Sequence, residues 1–231
     1  MEQKEATITP AGDRIQQVLT LLKGEYGAPQ WQPSHEPMAV LVQTILSQNT
    51  SDANSWSAFR SLRAAFASWE ELAAADDDAI TRSIRSGGLG RIKAQRIKRA
   101  LAEIIRQRGS LELDFLNQLS PEAAQDWLLG LPGVGLKTAR CVLLFALGVP
   151  ALPVDTHILR VSRRLELISP EASLLEAHRR LGAAVPPEDA YQFHVLMIEH
   201  GRKTCLARWP RCLQCTLLEI CPWGVRHLQG E

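Results

Sequence analysis

The chain has 231 residues, 45% of them hydrophobic, enough for one large domain or two small ones with a sizeable core. Twenty-six basic against 25 acidic residues leave a net charge of +1, so no global field draws in an anionic partner and any attraction has to be local. The opening stretch MEQKEATITPAGDR has no apolar core, and no run approaches the ~18 residues of a membrane span, which speaks against a signal peptide or membrane anchor and points to a soluble, cytoplasmic protein.

Helical periodicity runs through the chain. DRIQQVLTLLKGEY puts Ile15, Val18, Leu19 and Leu22 on one stripe, a helix ending at Gly27. GAPQWQPSHEP, with three prolines, reads as a loop, and MAVLVQTILSQ as a buried, nearly all-apolar helix. A helix over 53–65 and the segment WEELAAA follow, then DDDAITRSIRS with its acids at the favourable end of the macrodipole. GGLG breaks the pattern before RIKAQRIKRALAEIIRQ. In SPEAAQDWLLGL, Ser120 is the expected N-cap and Pro121 the first helical residue. KTARCVLLFALG, VDTHILRVSRRLEL, SPEASLLEAHRRLGAAV and DAYQFHVLMIEHGRKTC complete the helices. No stretch alternates as a strand between hairpin turns, so the expected class is all-α.

LPGVGLKTAR, at 131–140, carries the first chemical signal. A Gly-x-Gly turn at a helix start offers backbone N–H groups without Cβ atoms in the way, and these can take a phosphate oxygen. Gly133, Val134, Gly135 and Thr138 are therefore candidate DNA contacts, with Leu131 and Val134 packing the flanking helices together. A plain helix connection with a C-cap glycine would need only part of this string. Lys137 is one of only six lysines. Its amine suits phosphate pairing, or attack on a sugar C1′ if its pKa is lowered.

Asp155 follows Pro-Val and opens an apolar-periodic helix, so capping is its minimum role. It lies 18 residues beyond Lys137, one helix and a return loop away, which lets a carboxylate join the lysine at a reacting sugar. Four of the five cysteines, Cys205, Cys212, Cys215 and Cys221, fall in one short stretch with six, two and five residues between them. Four thiolates so spaced can hold a [4Fe–4S] cluster, whereas structural zinc sites usually pair two short Cys knuckles and only one is present. Cys141, in an apolar run, reads as a core residue. Arg208 and Arg211, between the first two cysteines, are candidate phosphate contacts on a metal-pinned loop, with plain surface solvation the equal alternative.

LPGVGLKTA, VDTHILRVSRR and the cysteine spacing after HGRKTC, extended by LSQNTSD and GGLGRIKA, together resemble endonuclease III and the wider HhH-GPD superfamily of helix-hairpin-helix DNA glycosylases. The likeness covers nearly the whole chain. It implies an all-α, two-domain fold: a six-helix barrel over 37–149 holding the hairpin, and an iron–sulfur domain from 1–36 and 150–231, with a cleft carrying Lys137 and Asp155. It also implies Lys137 as Schiff-base nucleophile, Asp155 as supporting carboxylate, and a flipped-out damaged base. Relatives without a lyase step carry other residues at the lysine position, so Lys137 points to removal of oxidised pyrimidines such as thymine glycol, then β-elimination. Gln48 and Asn49 match the loop that fills the vacated stack, although many members have glutamine where Asn49 stands. Leu89 matches the apolar wedge. Leu129 and Gly130 stand where some relatives place a carboxylate facing the base.

The expected partner is double-stranded DNA with damaged bases or abasic sites, bound by a monomer. Seven basic residues and no acid lie between Arg82 and Arg99, and they read as a phosphate-binding stripe: Arg82, Arg85, Arg91, Lys93, Arg96, Lys98 and Arg99. Two alternatives stay open: a monofunctional glycosylase for mismatched or deaminated bases, and a DNA-binding paralogue with little activity.

Overall fold

The computed structural model describes residues 11–230, so the polar stretch up to Pro10 lies outside the described residues. Helices α1 to α12, in chain order, are the only regular elements among the described residues besides short 3₁₀ turns; no strand is present. None of the helices is long and apolar enough to cross a membrane.

The chain divides into two compact units, Gln32–Val149 and the pair Met1–Trp31 with Pro150–Glu231. The first unit holds α2 (Pro37–Ser47), α3 (Asp52–Ala65), α4 (Trp69–Ala74), α5 (Asp77–Ser83), α6 (Gly90–Arg108), α7 (Pro121–Leu129) and α8 (Leu136–Phe145). Its centre is α2, whose apolar sequence suits contact on several sides: α3, α6 and α8 all pack on it. Leu41, Val42, Ile45 and Leu46 are at most 1% exposed, and burial of each such side chain contributes about 1.5–3 kcal/mol.

The second unit holds α1 (Ala11–Tyr26), α9 (Thr156–Arg164), α10 (Leu174–Ala184), α11 (Ala190–Lys203) and α12 (Pro222–Gln229). The stripe Ile15, Val18, Leu19 and Leu22 is fully buried where α1 packs on α11 and α10. Helix α1 thus shares one core with α10 and α11.

Caps decide where the helices begin. Ser120 Oγ accepts from the Ala123 amide at 3.2 Å with Pro121 in the first turn, as the sequence predicts, an arrangement worth about 1 kcal/mol. The same tetrapeptide, Ser-Pro-Glu-Ala, recurs at 169–172 but does not start a helix. There Ser169 Oγ donates to the Glu171 carboxylate at 2.6 Å, and the helix begins later, capped by Ser173, which accepts from the Glu176 amide at 3.1 Å. Ser173 with Glu176 forms the stronger Ser-x-x-Glu start signal. Helix α12 has no counterpart in the sequence reading; Cys221 caps it and Pro222 opens it.

Candidate functional site

The hairpin between α7 and α8 is built by turn chemistry. The Leu131 amide donates to Leu128 O and the Val134 amide to Leu131 O, both at 3.1 Å, while Gly133 turns the chain at φ +81°. A side chain at Gly133 would be strained by that φ and would press on Arg96 Cγ at 3.4 Å. Leu131 and Val134 are 2% and 7% exposed and pack as expected. The Val134 amide is used inside the turn. Those of Gly133, Gly135 and the first turn of α8, Leu136 to Thr138, find no acceptor among the described residues. Unclaimed donors at a positive helix end are suited to a phosphate oxygen. Thr138 is buried, so its amide is the donor it can offer there. Lys137 lies in this turn, partly exposed, and no hydrogen bond or ion pair engages its amine among the described residues.

Two neighbouring turns converge on α6. Gln48 ends α2 and is followed by exposed Asn49 at φ 54°; Leu89, half exposed, opens α6 at φ 52°. The left-handed region is tolerable for asparagine but costs a leucine about 1–2 kcal/mol. Arg96 ties the Gln48 turn to the hairpin, because its guanidinium donates to Gln48 Oε1 while its stem lies against Gly133.

The proposed basic stripe needs correction. Lys93 is 1% exposed and its Nζ donates to Leu46 O and Gly87 O, both at 2.7 Å, so it faces the core and not a phosphate. Lys98 donates to Ala75 O at 2.7 Å and sits 3.4 Å from Asp77. The exposed cations of the segment are Arg82, Arg85, Arg91 and Arg99.

In the second unit, Asp155 caps α9. One carboxylate oxygen, Oδ1, accepts from the amides of His157 and Ile158, each at 2.8 Å. The other has no partner among the described residues, so capping fixes the side chain and leaves one oxygen for chemistry. Arg160, one turn on, donates to Cys205 O at 3.0 Å and Gly201 O at 2.6 Å, tying the aspartate's helix to the first cysteine. Burial lowers the Arg160 pKa.

Cys205, Cys212, Cys215 and Cys221 line one cavity with Arg164, His200 and Trp223. None is in a disulfide. Burial pushes the Cys215 thiol up to about 11 and also raises Cys212 and Cys221. Arg164 donates to Cys205 Sγ at 3.2 Å and to Leu206 O at 2.8 Å, with its guanidinium 4.0 Å above the Trp223 ring. No three His, Cys, Asp or Glu side chains among the described residues form a single-ion site. Four thiols spread around a cavity fit a cluster, where each thiolate holds its own iron, better than one tetrahedral zinc. Protonated, the buried thiols are inert; bound iron would hold them as thiolates. Arg208 and Arg211 are exposed on the loop between the first two cysteines.

Two features here were not legible in sequence. Trp209, between those arginines, is 88% exposed at φ 56°. His200 is buried beside Cys215, with Nδ1 3.1 Å from the Tyr26 hydroxyl, and burial brings its pKa down to about 4. A tryptophan in a cysteine-rich loop and a histidine on an apolar helix face give no such sign by type alone.

Comparison with known proteins agrees with this arrangement. The family model for HhH-GPD superfamily base excision DNA repair proteins matches residues 42–187. Endonuclease III of Sulfolobus acidocaldarius is 34% identical over 194 residues, which are 83% of this chain and 84% of that protein. A protein of Arabidopsis thaliana named as a DNA glycosylase is 37% identical over 162 residues, 70% of this chain; the chain spans 55% of its length. A trapped covalent intermediate of endonuclease III with DNA has a TM-score of 0.81 at 30% identity, covering 95% of this chain and 100% of that one. On its hairpin, its all-helical fold and these matches, the chain belongs to the HhH-GPD superfamily of base excision DNA repair proteins.

Proposed function

We propose that this protein is a bifunctional DNA glycosylase and AP lyase of base excision repair, acting as a monomer on duplex DNA that carries an oxidised pyrimidine or an abasic site. The observation that carries the reading is Lys137: an amine with no partner among the described residues, in a helix turn whose leading amides are also unclaimed there. A lysine meant only to stabilise the fold would pair with a carboxylate or carbonyl, as Lys98 does. Residues 37–149 then form the barrel domain with the hairpin, and 1–36 with 150–231 the iron–sulfur domain.

The hairpin amides hold a backbone phosphate and fix register without reading sequence. Asn49 and Leu89 occupy the stack vacated by the flipped base. The Lys137 amine, once deprotonated, attacks the sugar C1′ with its lone pair as the C1′–N bond to the base breaks and the base leaves with that electron pair. The free Asp155 oxygen offsets positive charge growing on the sugar, an effect worth about 10²–10³ in rate. The nitrogen lone pair of this adduct then forms a C1′=N Schiff base as the C1′–O4′ bond breaks, O4′ taking that bond's electron pair and a proton from the lysine nitrogen. Loss of a C2′ proton then breaks the C3′–O bond, expels the 3′-phosphate and nicks the strand. Cys205, Cys212, Cys215 and Cys221 would hold a [4Fe–4S] cluster that pins the loop bearing Arg208 and Arg211 against the DNA; it takes no part in these bond changes.

A duplex with one thymine glycol tests the reading. Release of free base together with a strand break before alkali is expected. Base release with a break only after alkali would make the protein monofunctional, and binding without either product would make it a binder of that lesion only.

A further inference from the structure

Lys93 is among the largest fully buried side chains of the protein, and it carries a charge. No carboxylate pairs with it among the described residues; its ammonium is held by the Leu46 and Gly87 carbonyls, both at 2.7 Å. Burying an ammonium on two neutral acceptors is unfavourable relative to a methionine of similar volume. Helix packing alone does not require it, because Ala94, Ile97 and Leu101 already bury the core face of α6.

What the ammonium joins is informative. Leu46 O belongs to the last turn of α2, where carbonyls lack helical donors and the dipole is negative. Gly87 O ends the 3₁₀ turn before Leu89. Each carbonyl therefore lies two or three residues ahead of a left-handed residue, Asn49 on one side and Leu89 on the other. Among the described residues the two turns share no sheet or helix, and Lys93 Nζ bonds to both. Gly87 is fitted closely, since a Cβ there would meet the Ala58 Cβ at 3.0 Å. One turn further along α6, Arg96 joins Gln48 to the hairpin at Gly133, so the first two turns of α6 bracket all three loops.

We propose that Lys93 is a positioning residue that sets the spacing between the Asn49 and Leu89 turns, and so controls how the protein opens the duplex and not how it breaks bonds. The inference rests on the glycosylase–lyase reading. It gives a core lysine a task on one class of substrate only: stacked, paired DNA needs both wedges at a fixed separation, whereas an abasic site in a single strand has no stack to open and no orphan base to hold.

The test compares Lys93→Met and Lys93→Gln with wild type on two substrates. One is a thymine glycol duplex with 2-aminopurine beside the lesion; the other is a single strand with one abasic site. Circular dichroism and melting identify variants that fold. Lys93→Gln keeps amide donors for a carbonyl, so the comparison does not depend on Lys93→Met alone folding. The expected result is a fall of about 10- to 100-fold in single-turnover base release from the duplex, the scale of a misplacement near 1 Å. The 2-aminopurine fluorescence rise should fall with it, while β-elimination on the single strand stays within about twofold of wild type. A parallel fall on both substrates would make Lys93 a general structural residue and overturn the inference, as would unchanged duplex activity. Wild-type protein that releases no base from the duplex would instead overturn the function reading, and that is visible before any variant is compared.

Discussion

Asp155 offers the sharpest separation of structure from chemistry, because one of its oxygens caps a helix and the other has no partner among the described residues. Replacing it with alanine removes two bonds of 2.8 Å from the start of α9, a loss of about 1–2 kcal/mol for a cap of this kind. At about 2–4 °C per kcal/mol for a chain of this size, Asp155→Ala should melt about 2–8 °C below wild type. Asp155→Asn keeps an acceptor oxygen and should melt within about 1–2 °C of wild type. Both variants should lose about 10²–10³ in single-turnover base release, since neither can offset charge on the sugar. Asn at wild-type rate would mean that the carboxylate only caps. Ala with a wild-type melting point would refute the capping argument itself.

Three further outcomes follow from the geometry. Leu89→Gly removes a left-handed leucine that is 51% exposed; relief of about 1–2 kcal/mol of strain against about 0.5–1 kcal/mol of added chain entropy should leave the melting point equal or higher, while duplex base release falls. A lower melting point would show that Leu89 is held by packing. Serine at Cys212 should abolish the visible absorbance and iron content of purified protein, and unchanged iron would remove this cysteine from the ligand set. Hydrogen bonds from Arg106 and Gln107 hold the Glu103 carboxyl down to about 2. Its folded pKa lies below the unfolded ~4.3, so its contribution to stability is present above that value and is lost as pH falls towards about 2. A carboxyl carbon titration of folded protein with a midpoint near 4.3 would contradict that pairing.

Much of the fold was legible because helix signals are local. The stripe of α1 and the Ser120–Pro121 cap depend on neighbours three or four residues away, and both are found where the sequence places them. Ser169–Pro170 shows the limit: the same start signal yields to Ser173 with Glu176 four residues later. Asp155 as a cap and Lys137 near the start of a helix were likewise readable from their immediate surroundings. Lys93 was not. In sequence it is one more cation in a basic run, and only the return of α2, with Leu46 47 residues away, turns it inward. Helix α12 was hidden for a different reason: Cys221, expected from its spacing only as a candidate cluster ligand, also caps the helix.

The central claim is that the Lys137 amine forms a covalent bond to DNA. Incubation with a thymine glycol duplex in the presence of borohydride should trap a protein–DNA adduct, and peptide mapping should place it on Lys137. Lys137→Gln should give no adduct while still binding the duplex. An adduct of equal yield in Lys137→Gln, or one mapped to another amine, would contradict the account.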